Sequence, residues 1–178
     1  MLLKRKVVSA VVATASILLF CGFSGCTPTE ETDTLAALQS GLSTLVANRT
    51  LSEQFVRDVK TTVAPTDPAY QQAMDSYEEA RDSYNHFLDT VEDGAVKGKD
   101  TRQEMELGLD AENSTAGFLQ DATRALRPSM NTRGIDFRRA IHIPGNLAPD
   151  LQRLPKRQRS ALVQQFDNQV RWRSWGQM

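Results

Sequence analysis

The residues able to do chemistry are few and mostly isolated. The sequence of 178 residues holds two His and two Cys. His86 lies in an acidic stretch beside Asp82 and Asp89, and His142 in a proline-rich one. Neither has the His or Cys one helical turn away that a zinc site requires, so no metal site is expected. Glu78 and Glu79 cannot form an acid/base couple, because adjacent helical positions diverge by about 100°. No Gly-x-Ser-x-Gly elbow and no paired Glu-x-x-His motif occurs. An enzyme is therefore not expected, nor any cofactor. The remaining candidates are the thiol of Cys26 and a cationic, tryptophan-containing C-terminal stretch.

Cys26 closes a patterned segment. Lys4, Arg5 and Lys6 precede an apolar run from Val7 to Phe20. Three cations ahead of about 14 apolar residues form a signal-peptide layout, short for a spanning helix. Phe23-Ser24-Gly25-Cys26 then resembles the lipobox of bacterial lipoproteins. That resemblance implies cleavage before Cys26 and diacylglycerol on its sulfur, and Thr27 in place of Asp implies the periplasmic face of the outer membrane in a Gram-negative host. An uncleaved anchor over Val7–Gly25 is the alternative, and both leave the rest of the chain outside the cytoplasm. Export disfavours nucleic acid as a partner. Residues 26–34 hold little apolar material and read as a flexible tether from lipid to body.

The C-terminal candidates are charge-driven. Residues 27–123 carry 19 acidic and 7 basic side chains, whereas residues 124–178 carry 3 acidic and 11 basic. A basic tail folding onto an acidic body neutralises both. The other reading is a surface for polyanions made by Arg138, Arg139, Arg153, Lys156, Arg157, Arg159 and Arg171. Trp172 and Trp175 would join it, since Trp beside Arg suits a membrane interface. Alternatively the terminus tucks its indoles onto the body.

The elements that must position these groups are helical. Leu35, Leu38, Leu42 and Leu45 form a narrow seam, and Thr50-Leu-Ser-Glu53 reads as a capping box that could divide this arm into two helices. Asp67-Pro68 is a cap and first-turn pair. Tyr70, Ala73, Tyr77, Ala80, Tyr84, Phe87 and Val91 then follow at spacings of 3 and 4, a heptad seam over three repeats. Their tyrosine hydroxyls are expected at the seam's edge, satisfied by water or a carboxylate. A turn over 93–100 and a capping box Thr101–Glu104 lead into a helix ending near Leu126. Met105, Leu109, Ala116, Leu119, Ala122 and Leu126 are expected to line its inner side.

These patterns predict a mainly α fold: an antiparallel helical hairpin or small bundle over 35–126, then a basic proline-rich irregular segment, and a helix from about Pro155 to Arg173. The function expected is that of a lipid-anchored, non-enzymatic envelope protein offering an elongated helical surface to another envelope component. A polyanion- or small-ligand-binding lipoprotein is the alternative.

Overall fold

The structure is a computed structural model and describes residues 28–98, 101–126 and 141–178. Five α-helices and no strand occur among the described residues: α1 (Pro28–Thr62), α2 (Pro68–Lys97), α3 (Thr101–Leu126), α4 (Leu147–Arg153) and α5 (Lys156–Val170), followed by a short 3-10 turn at Trp175–Gln177. The fold is mainly α.

The first helix departs from the sequence reading at both ends of its argument. Residues 28–34 are helical, so only Cys26 and Thr27 of the expected tether lie outside the described residues. Glu30 and Glu31 in the first turn suit the positive end of the helix, which compensates for the missing apolar side chains. No break occurs at Thr50 either. Its hydroxyl donates to the Val46 carbonyl one turn back, at 2.8 Å, instead of capping a new helix. Asn48, just ahead of it, is buried, and its amide donates to the His142 carbonyl at 2.8 Å. A single helix of 35 residues results, about 52 Å long.

The α2–α3 hairpin is the centre of the molecule. Asp67 caps α2 as expected, accepting the Ala69 N–H at 2.8 Å. The helix runs past the expected turn to Lys97, where Gly98 at φ 69° takes the left-handed terminating conformation. All seven seam residues of α2 are buried, with Met74 and Leu88 beside them. The facing stripe on α3 is the expected one in part: Ala116, Leu119 and Ala122 are buried and Leu126 packs against the core, but Met105 and Leu109 point outward, at 59% and 58% exposure. Glu104, Gly108, Ala111, Thr115, Phe118, Ala122 and Ala125 form the row that faces inward along the whole helix. This stripe keeps the same spacing of 3 and 4, but most of its members are small or polar and carry no hydrophobic signal. Small side chains let α3 approach α2 closely. A Cβ at Gly108 would sit 3.4 Å from the Phe87 ring, and Phe118 meets Tyr77 edge-on at 5.1 Å between centroids.

The rest of the chain fills the two grooves that α1 leaves against this hairpin. Residues 141–144 form no helix or strand and bury Ile141 and Ile143, and the chain then bends at Gly145 and Asn146, the latter left-handed at φ 64°. Glu112 accepts the Ile143 N–H at 2.6 Å, and Leu147 packs against Gly41 of α1. From there α4 crosses the end of α2. The chain then turns, and α5 runs back beside α1 from Glu31, which Gln158 contacts at 3.2 Å, to Arg49, which donates to the Gln169 carbonyl.

Candidate functional site

The seam of tyrosines is the floor on which the C-terminus lands. The last helix stops at Val170, three residues short of the expected end, and residues 171–174 continue in extended form. Extension places Trp172 inward. It is 3% exposed and lies between two rings, stacked on Tyr77 at 5.6 Å and tilted against Tyr84 at 4.8 Å. Trp172 is therefore a core residue and not a membrane or polyanion contact. Its backbone is clamped by Asn85, whose amide oxygen accepts the Trp172 N–H and whose amide nitrogen donates to the Trp172 carbonyl. Trp175 is half-buried. It meets Tyr70 edge-on at 6.5 Å and lies under the Lys60 ammonium, 5.7 Å from the ring centre. Lys60 also donates to the carbonyls of Trp175 and Met178.

Two of the three seam tyrosines, Tyr77 and Tyr84, give their hydroxyls to carbonyls inside the molecule, not to a carboxylate at an edge. Tyr77 donates to the Arg173 carbonyl at 2.8 Å and Tyr84 to the Leu45 carbonyl at 3.0 Å. Burial pushes both phenols above their ordinary range. Both hydroxyls act as donors, and the seam is occupied by the chain itself.

The cationic residues proposed from sequence separate into two places. Arg171 lies at the upper end of α5, where its guanidinium bridges Asp89 of α2 at 2.8 Å and Asp167 at 2.6 Å. With Arg49, Arg81 and Arg173 it borders an open cleft of about 610 Å³. Most of that charge is already answered. Arg49 pairs with Glu53 at 2.7 Å, and Arg81 pairs with Glu78 and Asp82. The hydrogen bond that Arg81 donates to Asp82, aided by Glu78, raises the Arg81 pKa. Arg153, Lys156, Arg157 and Arg159 lie at the other end of α5, around the α4–α5 turn. There Arg153 pairs with Asp150 at 3.0 Å and Arg159 donates to the Ala95 carbonyl at 2.9 Å, while Lys156 and Arg157 are exposed. Arg138, Arg139 and Cys26 lie outside the described residues.

Two acidic residues hold functional geometry that sequence reasoning assigned elsewhere or passed over. Glu104 does not close a capping box on Thr101. It is 1% exposed, and its Oε1 accepts the N–H groups of Leu147 at 2.6 Å and Ala148 at 3.2 Å, capping the start of α4 from a different helix. Desolvation raises its pKa, opposed by those two backbone donors. Glu112 holds the same strap through the Ile143 N–H and through His142 Nδ1 at 3.2 Å. The available signal was the pair Glu104 and Glu112, two turns apart on one face of α3, with Gly108 between them. His86 is exposed and borders a shallow acidic hollow of about 380 Å³ with Asp89 and Asp93. Among the described residues no group of three or more His, Cys, Asp or Glu side chains is arranged to hold a metal ion, and no helix is long and apolar enough to cross a membrane. The chain matches no family model, no curated protein and no solved structure.

Proposed function

We propose that this chain is a lipid-anchored protein of the bacterial envelope that acts by binding rather than by catalysis. One observation carries the reading: the Phe23-Ser24-Gly25-Cys26 box behind a basic start and a short apolar run. A body that begins two residues after the acceptor thiol and consists of helices around a filled core suits a protein held at a membrane to meet another envelope component. The α2 seam is filled within the chain, so the surface that meets a partner lies on the outer side of the body. There Met105 and Leu109, one turn apart on α3, provide an exposed apolar spot.

The test is metabolic labelling with a radioactive or alkynyl fatty acid. Wild-type protein should carry label that Cys26→Ser loses, and Cys21→Ser should keep it. Full labelling of the Cys26→Ser protein would remove the lipoprotein assignment.

A further inference from the structure

We infer that the α4–α5 turn rests on the phospholipid headgroups of the anchoring membrane, with Lys156 and Arg157 paired to lipid phosphates. The inference rests on the lipid-anchor reading and adds an orientation and a contact surface to it.

Three observations on different parts of the chain converge. First, the anchor is short. Cys26 precedes Pro28 by two residues, which span at most about 7 Å in any conformation. Helix α1 starts there and continues for 35 residues, so the lipid attachment point stays close to the end of the body, not at the end of a long leash.

Second, the end nearest the anchor is where α5 begins. Gln158 donates to Glu31 in the first turn of α1, which lies about 4.5 Å along the helix from Pro28. Cys26 is thus within roughly 12 Å of chain from the level of the α4–α5 turn. The headgroup zone of one leaflet is about 5–7 Å thick. A body attached this closely has this end at the lipid surface.

Third, the charge of that turn suits phosphate. No acidic residue lies between Asp150 and Asp167, a stretch that holds Arg153, Lys156, Arg157 and Arg159. Two of these are occupied inside the protein, Arg153 by Asp150 and Arg159 by the Ala95 carbonyl. Lys156 and Arg157 face outward, and Val96, 74% exposed near the same end of α2, adds an apolar contact. The acidic groups described at this end are Glu30, Glu31 and Asp33 on α1, Asp93 on α2, Glu106 on α3, which pairs with Arg102, and Asp150 on α4. Of these, Glu31 accepts from Gln158 and Asp93 pairs with Lys97 at 2.9 Å. Glu30 and Asp33 oppose an anionic surface, so the contact depends on the α5 cations being on the lipid side.

The experiment places an environment-sensitive thiol label at Ser160→Cys, on exposed α5, or at Thr66→Cys, at the far end of α1. Full-length protein is reconstituted in phosphatidylcholine:phosphatidylglycerol vesicles containing a headgroup nitroxide lipid. Fatty-acid labelling of Cys26 is read on the same preparations. The expected result is quenching at position 160 at least twofold stronger than at 66, lost in the Lys156→Glu/Arg157→Glu background and weakened by salt. Equal quenching at 160 and 66 with Cys26 acylated overturns the surface and leaves the anchor standing. Strong quenching at 160 without acylation removes the anchor and keeps the surface. Quenching at 160 that survives charge reversal overturns the phosphate pairing.

Discussion

Trp172 stacks on Tyr77 with 18° between the ring planes, and the hydroxyl of that same tyrosine binds the carbonyl of Arg173, the next residue. One side chain of α2 thus holds the tail twice, by its ring and by its oxygen. Tyr84 repeats the device with its ring against Trp172 and its hydroxyl on Leu45 of α1. Large tyrosines alternating with alanine serve two purposes here: the alanines let helices approach, and the tyrosines make a platform for an indole.

The Trp172→Ala protein should therefore lose about 3–5 kcal/mol of stability, the usual cost of emptying a buried aromatic site. In a folded body of this size that is a drop of roughly 6–20 °C in Tm, followed by circular dichroism. Trp175→Ala, which removes a half-buried ring, should cost clearly less. Trp172 should also emit at short wavelength in the absence of any lipid. A Trp172→Ala protein that melts with its parent would mean the tail is not docked in solution.

Glu104 gives a pH-dependent prediction. Its folded pKa is raised by desolvation, so folding favours the protonated form. The corresponding stability is fully present below the unfolded value of about 4.3 and is lost as pH rises through the folded value. Glu104→Gln keeps an oxygen for the Leu147 N–H and cannot ionise. The stability of Glu104→Gln relative to wild type should rise between pH 4 and pH 7. Glu104→Ala leaves the Leu147 and Ala148 N–H groups without an acceptor and should cost about 1–3 kcal/mol at either pH. Glu92 is shifted in the same direction, so differences between variant and parent, from urea melts at each pH, are the quantity to compare. A Gln variant whose gap to wild type stays flat across this range contradicts the argument.

Two glycines of the hairpin should respond oppositely to alanine. Nothing lies within 4 Å of a Cβ at Gly117, so Gly117→Ala gains helix propensity alone, about 1 kcal/mol. At Gly94 the new methyl would fall 2.7 Å from the Ala148 Cβ, a short side chain that cannot swing away. The backbone of α4 must move, and overpacking of about 1–3 kcal/mol outweighs the propensity gain. Denaturant midpoints should move in opposite directions. A stabilised Gly94→Ala protein would show that α4 is not seated on α2.

The helical fold and the α2 seam were legible because heptad spacing is written in side chains that are plainly apolar or aromatic. Other features were not, for physical reasons that differ. The first half of the inner stripe of α3 consists of Glu104, Gly108, Ala111 and Thr115, with Phe118 and Leu119 only further on, so periodicity of hydrophobicity pointed to Met105 and Leu109 on the wrong face. The capping-box patterns at Thr50 and Thr101 are both broken up, the first by neighbours one turn back, Val46 for the Thr50 hydroxyl and Arg49 for Glu53, and the second by a distant partner, since Glu104 is claimed by α4. Tucking of the indoles onto the body was one of two readings of the tail and holds for Trp172, but spacing could not choose between them, because an extended segment carries no helical period. Basic residues of the tail were legible as charge, while their division between the two ends of α5 follows from where the chain turns at Pro155.

That division bears on the charge asymmetry itself. A tail carrying 11 basic and 3 acidic residues against a body carrying 19 acidic and 7 basic suggests electrostatic docking. Yet Arg171 is the cation of α5 and the tail that crosses to α2 as an ion pair among the described residues; its close partners Asp89 and Asp167 are more than half exposed, and Glu92 lies further off at 3.6 Å. Exposed pairs of this kind contribute about 0.2–1 kcal/mol and are screened by salt. The burial of Leu162, Phe166, Val170 and Trp172 is insensitive to salt and far larger. Raising sodium chloride from 0.05 to 0.5 M should thus shift the stability of the full chain by no more than about 1 kcal/mol, and Arg171→Ala should remove part of even that. The comparison is made by urea unfolding at the two salt concentrations, parent beside variant. A loss of several kcal/mol in high salt would mean that long-range attraction, not the aromatic platform, holds the C-terminus in place.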